Sequence, residues 1–226
     1  MCRLPAILYV ETNLVMGIAK GQDPDADRLL SEGFPDVQIV IPGICIMEAF
    51  SVWNSEKKQR AKFHQELRKH AEESARDLTS VRAQSLVGNL QRARLESIDL
   101  VNNIESRLYG TIERLSEHAE ILNNIDDRVI FDTLSQAYVE DPTDNLILNA
   151  ILRHAHSPLF GLKLFVSRNS RDFGREEPMK ALRSAKIKYF KDVTPALGWL
   201  EDKRRKAQQI AEEDANSPDS EWNLDP

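Results

Sequence analysis

The stretch Ala6-Ile7-Leu8-Tyr9-Val10-Glu11-Thr12-Asn13-Leu14 decides the fold. Its five leading residues are apolar, with β-branched and aromatic members, and they predict a short strand buried on both faces. A carboxylate follows at once, and helix-forming residues run over 14–19. A second helix is predicted over 25–32, stopped by Gly33. The rhythm then repeats. Residues 37–41 read as another strand, Pro42-Gly43 breaks it, and Ile46-Met47-Glu48-Ala49-Phe50 opens a helix. Strand, turn and helix, twice over, imply an α/β fold whose parallel sheet is flanked by crossover helices.

The middle of the chain has another character. Residues 55–124 contain no proline and only two glycines, Gly88 and Gly110, among many Glu, Lys, Arg, Gln, Ala and Leu. Val101, Ile104, Leu108, Ile112, Leu115, Ala119 and Leu122 step by threes and fours, which makes one apolar stripe along a helix. Asp77-Leu78-Thr79-Ser80 is the best break, with Thr79 or Ser80 able to cap a second helix. A long inserted helical hairpin is therefore expected over about 55–124, its stripe shielded by the partner helix or by an oligomer seam. Beyond it, helices are expected over 128–140, 145–154 and 178–184, and strands over Leu162–Val166 and Ile187–Phe190. The organisation expected is one domain over 1–200 that carries the hairpin. A charged tail over 201–226 should follow, a frayed helix passing into disorder.

Composition narrows the classes. The net charge of −6 argues against a wholly electrostatic nucleic-acid binder, so any such contact must come from a local patch. The two cysteines, Cys2 and Cys45, have no metal-like or redox-like spacing and fit a reducing compartment. The first apolar run is too short to span a membrane, and no cleavable leader is legible, so a cytoplasmic protein is expected.

Acidic and amide residues recur in one structural context. Glu11 follows the first strand. Glu48 lies early in the helix after the second. Asp144 starts a helix in Asp141-Pro142-Thr143-Asp144-Asn145-Leu146-Ile147, and Asn169 and Asp172 follow the strand Leu162–Val166. Ligands of open parallel sheets bind outside the carboxyl ends of the strands, where all of these fall. Clustered carboxylates repel unless a cation neutralises them, and hard oxygen donors without His or Cys suit Mg²⁺ or Mn²⁺. Such ions activate water and clamp phosphates.

These segments, in this order, resemble the PIN-domain family of metal-dependent ribonucleases, which includes toxin ribonucleases of toxin–antitoxin pairs. Val10-Glu11-Thr12-Asn13-Leu14 is similar to the family's opening strand and Asp-Thr-Asn. The run from Pro42 to Glu48 resembles its second motif, Asp144-Asn145-Leu146-Ile147-Leu148-Asn149-Ala150 its third, and Phe165-Val166-Ser167-Arg168-Asn169-Ser170-Arg171-Asp172-Phe173 its fourth. The resemblance implies an endoribonuclease in which Glu11, Glu48, Asp144 and Asp172 supply catalytic carboxylates. With Asn169 they would ligate Mg²⁺ or Mn²⁺. Asn13 and Ser167 would orient the acids, and Asp141 would be an outer acid. It also implies an RNA substrate and an antitoxin-like protein partner; a homo-oligomer through the hairpin is a further expectation. Two positions depart from the family pattern. Glu11 stands where Asp is usual, and Asn169 keeps the shape of Asp without its charge.

Plainer readings stand beside these. Glu11 can be a helix N-terminal acid, Asp144 a helix cap and Asp172 a turn residue. Glu48 is harder to dismiss, because a charge among apolar neighbours needs a partner. A basic series follows the fourth motif, with Arg168, Arg171 and Arg175 nearest to it. It reads either as a set of RNA-phosphate contacts or as an ordinary wet face. A scaffold that uses the fold for interaction alone is the rival functional class, and a flap-type DNA nuclease a second enzyme reading.

Overall fold

The computed structural model describes residues 5–123, 126–157 and 161–215. It contains strands β1 (Ala6–Val10), β2 (Val37–Pro42), β3 (Ala119–Leu122), β4 (Leu162–Val166) and β5 (Ile187–Phe190). The helices are α1 (Thr12–Ala19), α2 (Pro24–Glu32), α3 (Gly43–Ser74), α4 (Val81–His118), α5 (Asp127–Ser135), α6 (Pro142–His156), α7 (Glu176–Ser184) and α8 (Val193–Ala215). The sheet is wholly parallel in the order β3-β2-β1-β4-β5. The opening apolar run is its central strand and is buried throughout, as its unbroken apolar character requires. Because all strands run the same way, Glu11, Pro42, Leu122 and Ser167 emerge along one sheet edge.

The hairpin forms with its turn where the sequence places it. Asp77 Oδ1 accepts from the Thr79 and Ser80 backbone N–H groups, and Ser80 caps α4 through Ala83. Val101, Ile104, Leu108 and Leu115 are buried, with Ile112 partly so. The stripe ends one turn earlier than expected. Ala119 leaves helical geometry at φ −118° and ψ 152°, and Ala119–Leu122 becomes the edge strand β3 beside β2. A four-residue strand joined directly to a helix has no room to show its own period, so its apolar residues pass for another helical turn.

Two other boundaries move for identifiable reasons. Helix α3 begins at Gly43, with Pro42 as its N-cap residue and no intervening turn. A Cβ on Gly43 would lie 3.1 Å from Asn123 Oδ1 and 3.3 Å from the Leu122 carbonyl, so β3 ends against this glycine. Helix α5 stops at Ser135, short of residue 140, because buried Asn145 takes over the backbone beyond it. Its amide donates to the Thr133 and Gln136 carbonyls, and its oxygen accepts from the N–H groups of Tyr138 and Val139. At the other end, α8 continues past Glu201. Arg204 holds it to the α2–β2 loop through the carbonyls of Pro35 (2.9 Å) and Asp36 (3.1 Å). The expected disorder of residues 216–226 lies outside the described residues. No helix among the described residues is long and apolar enough to cross a membrane.

Candidate active site

Glu11 occupies the end of the central strand and serves as N-cap of α1. Its Oε2 accepts the Asn13 backbone N–H at 2.7 Å. The plain reading of Glu11 is thus half realised. The other oxygen, Oε1, is buried and has no hydrogen-bond partner among the described residues. The residue is only 2 % exposed. Burial pushes its carboxyl up to about 7, against the opposing pull of the Asn13 and Ser167 groups beside it.

Glu48 reaches the same edge from the second turn of α3, with its charge half-buried. The hydroxyl of buried Thr12 donates to Glu48 Oε2, which ties the start of α1 to α3. Asp144 comes from the first turn of α6. Its capping role falls instead to Asp141, whose Oδ1 accepts from the N–H groups of Thr143 (2.8 Å) and Asp144 (3.1 Å). Asp144 therefore keeps both oxygens for other partners. Burial, then the charges of Glu48, Asp141 and Asp172, push its carboxyl up to about 6.

Asp172 lies in the turn after β4, where Phe173 N–H donates to the Asn169 carbonyl at 3.0 Å. Fully buried Phe173 packs edge-on against Phe165 at 5.1 Å, which anchors the turn. The next residue must be glycine, because a Cβ at Gly174 would collide with the Ser170 carbonyl. Asn169 donates from Nδ2 to Asp144 Oδ2 at 2.9 Å. The opposite amide orientation would set oxygen against oxygen, so this one is physically preferred. At the position with a missing charge, the amide supplies a donor that tempers the repulsion around Asp144. Ser167 is buried, and its hydroxyl accepts from Asn169 N–H at 3.0 Å.

Glu11, Glu48 and Asp172 are thus linked electrostatically through Asp144: Asp144 raises Glu11, and Glu48 and Asp172 raise Asp144. They do not form a closed cage, for no three His, Cys, Asp or Glu among the described residues are already placed to hold an ion. The donor set nevertheless fits a hard divalent cation. It is all oxygen, it holds one buried carboxylate oxygen with no hydrogen-bond partner among the described residues, and burial raises two of its carboxyls, Glu11 to about 7 and Asp144 to about 6.

The basic residues divide three ways. Arg168 is a structural clamp. It pairs with buried Asp23 (3.0 Å) and with Asp192 (3.0 Å), and also reaches the Gln22 carbonyl. Arg175 pairs with Glu140 at 2.7 Å and bonds the Arg171 carbonyl. Arg171 is exposed and makes no side-chain hydrogen bond or ion pair among the described residues. The sequence reading missed Thr12, which holds Glu48, and Asn145, which sets the loop leading to Asp141. Thr12 entered only as the middle of the Glu11-Thr12-Asn13 motif, with no role given to it. Nothing in the sequence near Asn145 marks a residue that will be buried with four backbone bonds.

A family model described as PIN domain matches residues 8–173, a span that contains all four carboxylates. No curated protein and no solved structure matches the chain.

Proposed function

The chain belongs to the PIN-domain family, and on that premise we propose that it is a divalent-metal-dependent endoribonuclease that works at the acidic sheet edge. The observation that carries the reading is Glu11 Oε1, a buried carboxylate oxygen without a hydrogen-bond partner among the described residues, beside Asp144, whose carboxyl is raised by burial and by the charges of Glu48, Asp141 and Asp172. A structural acid would have its second oxygen satisfied, because an unpaired buried charge is among the costliest features a fold can keep.

Glu11, Glu48, Asp144 and Asp172 would hold Mg²⁺ or Mn²⁺, with the amide oxygen of Asn169 available beside them. When bound, the ion would supply Lewis-acid polarisation of a phosphate oxygen and a water activated for attack. The remaining work falls to side chains of this chain. Thr12 fixes the reach of Glu48, Asn169 fixes one oxygen of Asp144, and Asp141 spares Asp144 from capping. Arg171 would meet an RNA phosphate directly, whereas Arg175 would first exchange its Glu140 partner.

Asp144→Asn should abolish Mn²⁺-dependent cleavage of RNA while leaving the far-UV circular dichroism spectrum intact. A thermal melt of the wild type should rise with Mn²⁺, since an ion bound only by the folded state stabilises it by mass action. No melting shift together with no cleavage would sink the proposal. A scaffold reading is favoured by one feature, the Asn169 amide that already tempers the charge of Asp144 without an ion. It requires that the wild type cleave nothing in either metal.

A further inference from the structure

Charge is unevenly spread along this chain. Residues 55–100 carry ten Lys and Arg against seven Asp and Glu, a net of +3 within a chain of −6, which leaves −9 for the rest. On α3 the positive charge is also sorted by face. Arg60, His64, Leu67 and Ala71 line the seam toward α4, where His64 Nε2 meets Ser97 Oγ at 2.9 Å. At about 3.6 residues per turn, Lys58, Lys62 and Lys69 fall on the opposite, outward face as one stripe. All three are exposed, and none has an ion pair or hydrogen bond among the described residues. At the hairpin base lysines are used: Lys57 pairs with Glu105 at 2.7 Å, and Lys20, at the end of α1, with Glu56 at 2.5 Å.

The fold gives no reason for this stripe. Like charges at i and i+4, as in Lys58 and Lys62, are mildly destabilising on a helix. Toward the base the stripe continues through exposed Ser51 and Asn54; the acids that flank it are Glu66, four residues after Lys62 and three before Lys69, and Glu72 near the tip. The outward face of α4 is not its equal in net charge, since Arg92 there meets two acids, Glu96 and Asp99, whereas the α3 stripe sets three lysines against Glu66. Helix α3 is unbroken from Gly43 to Ser74, so Glu48 and Lys69 ride on one rod. At ~1.5 Å per residue they stand roughly 32 Å apart, about nine phosphates at the ~3.4 Å rise of a stacked strand.

We propose that the outward face of α3 is a phosphate track, on which Lys58, Lys62 and Lys69 hold the backbone of an RNA strand whose scissile end lies at Glu48. The identity of the polymer rests on the ribonuclease reading; the track itself rests on the pattern of charge. It makes the protein select RNA by length. It also explains how an acidic chain can hold a polyanion, because the cations are carried away from the acidic body on a lever.

The test is binding without metal, in EDTA, of fluorescent oligouridines of about six and about twenty-four nucleotides over a salt series. The wild type should bind the longer RNA more tightly. The K58Q/K62Q/K69Q variant keeps good helix formers and its far-UV spectrum. It should weaken long-RNA binding and flatten the log–log salt slope by about two, at ~0.7 per phosphate contact on a single strand. Loss of two cations from α4, in R82Q/R92Q, should move the slope by far less than two-thirds of that change. Equal slopes for wild type and the triple variant, no length dependence in the wild type, or an equal loss from the α4 control would each overturn the track. Failure of catalysis reads out separately. Track-dependent binding with no Mn²⁺-dependent cleavage would retain the track and sink the enzyme; cleavage with unchanged long-RNA binding in the triple variant would do the reverse.

Discussion

The two ends of the α3–α4 hairpin are made of similar residues and live in different solvents. At the base, Trp53, Val101, Ile104, Leu108 and Leu115 are buried, because α1 and α2 supply a third layer. Arg107 reaches the Ala19 carbonyl at 2.8 Å, and Arg114 pairs with Asp27 at 2.8 Å. Between residues 57 and 100 only Ala71 is buried, and Phe63, Leu86 and Leu95 remain exposed. The same contrast governs charge. In the body that the base packs on, charge is desolvated and its protonation is displaced, as in Glu11 and Asp144. At the tip it stands in water, costs the fold little, and carries meaning only through its pattern. Burial thus separates residues that the fold must accommodate from residues that it merely displays.

The largest effect should come from breaking the base. Leu108 is fully buried, so Leu108→Asp loses its packing and buries an unpaired charge. A loss of about 4 kcal/mol or more in denaturant unfolding is expected. A loss below about 1 kcal/mol would mean the base is no better packed than the tip.

Next comes the buried charge. An unfolded Glu ionises at the model value of 4.5, whereas folded Glu11 ionises at about 7, so the folded state binds the proton more tightly. Stability from this group is therefore fully present below pH 4.5, falls as pH rises to about 7, and stays low above that. Glu11→Gln should raise stability at pH 8 by up to about 3 kcal/mol and remove that part of the pH dependence. The oxygen of Gln can still cap α1. Mn²⁺ should stabilise the wild type at pH 8 and the variant much less. If the variant is less stable at pH 8, or shows the same pH dependence, Glu11 is not the strained acid described above.

A smaller change is expected at Asn169. Asn169→Asp replaces a donor to Asp144 with a like charge, and should cost about 1–2 kcal/mol in EDTA. Added Mn²⁺ should then restore more stability than in the wild type, which differential scanning fluorimetry can read. No metal-dependent difference between the two would show that Asn169 lies outside the electrostatic unit. The smallest effect belongs to the tip. Leu95→Asp should stay within about 0.5 kcal/mol of wild type, and a larger loss would reveal a covering partner or a second copy on this face.

Much was legible from the chain itself. The run from Ala6 to Val10 named a central buried strand, and the break at residues 77–80 placed the hairpin turn, because both are local patterns with local causes. The family resemblance, carried by four short motifs, is matched by a PIN-domain model over residues 8–173. Boundaries were legible only where a local signal set them. Strand β3 exists because β2 offers it an edge, and α5 ends early because Asn145, far along the chain, captures its continuation.

At the sheet edge the sequence by itself determined which residues carry charge and, through strand and helix order, that they emerge at the same side of the sheet. Only the tertiary structure decided what each one does there. Asp141 rather than Asp144 caps α6, Arg168 is spent on Asp23 and Asp192, Asn169 acts as donor to Asp144, and one oxygen of Glu11 has no hydrogen-bond partner among the described residues. The physical reason is that residue type fixes what a group can donate, accept or carry. Which partner it finds, and whether water is present to compete, depends on elements brought together from distant parts of the chain.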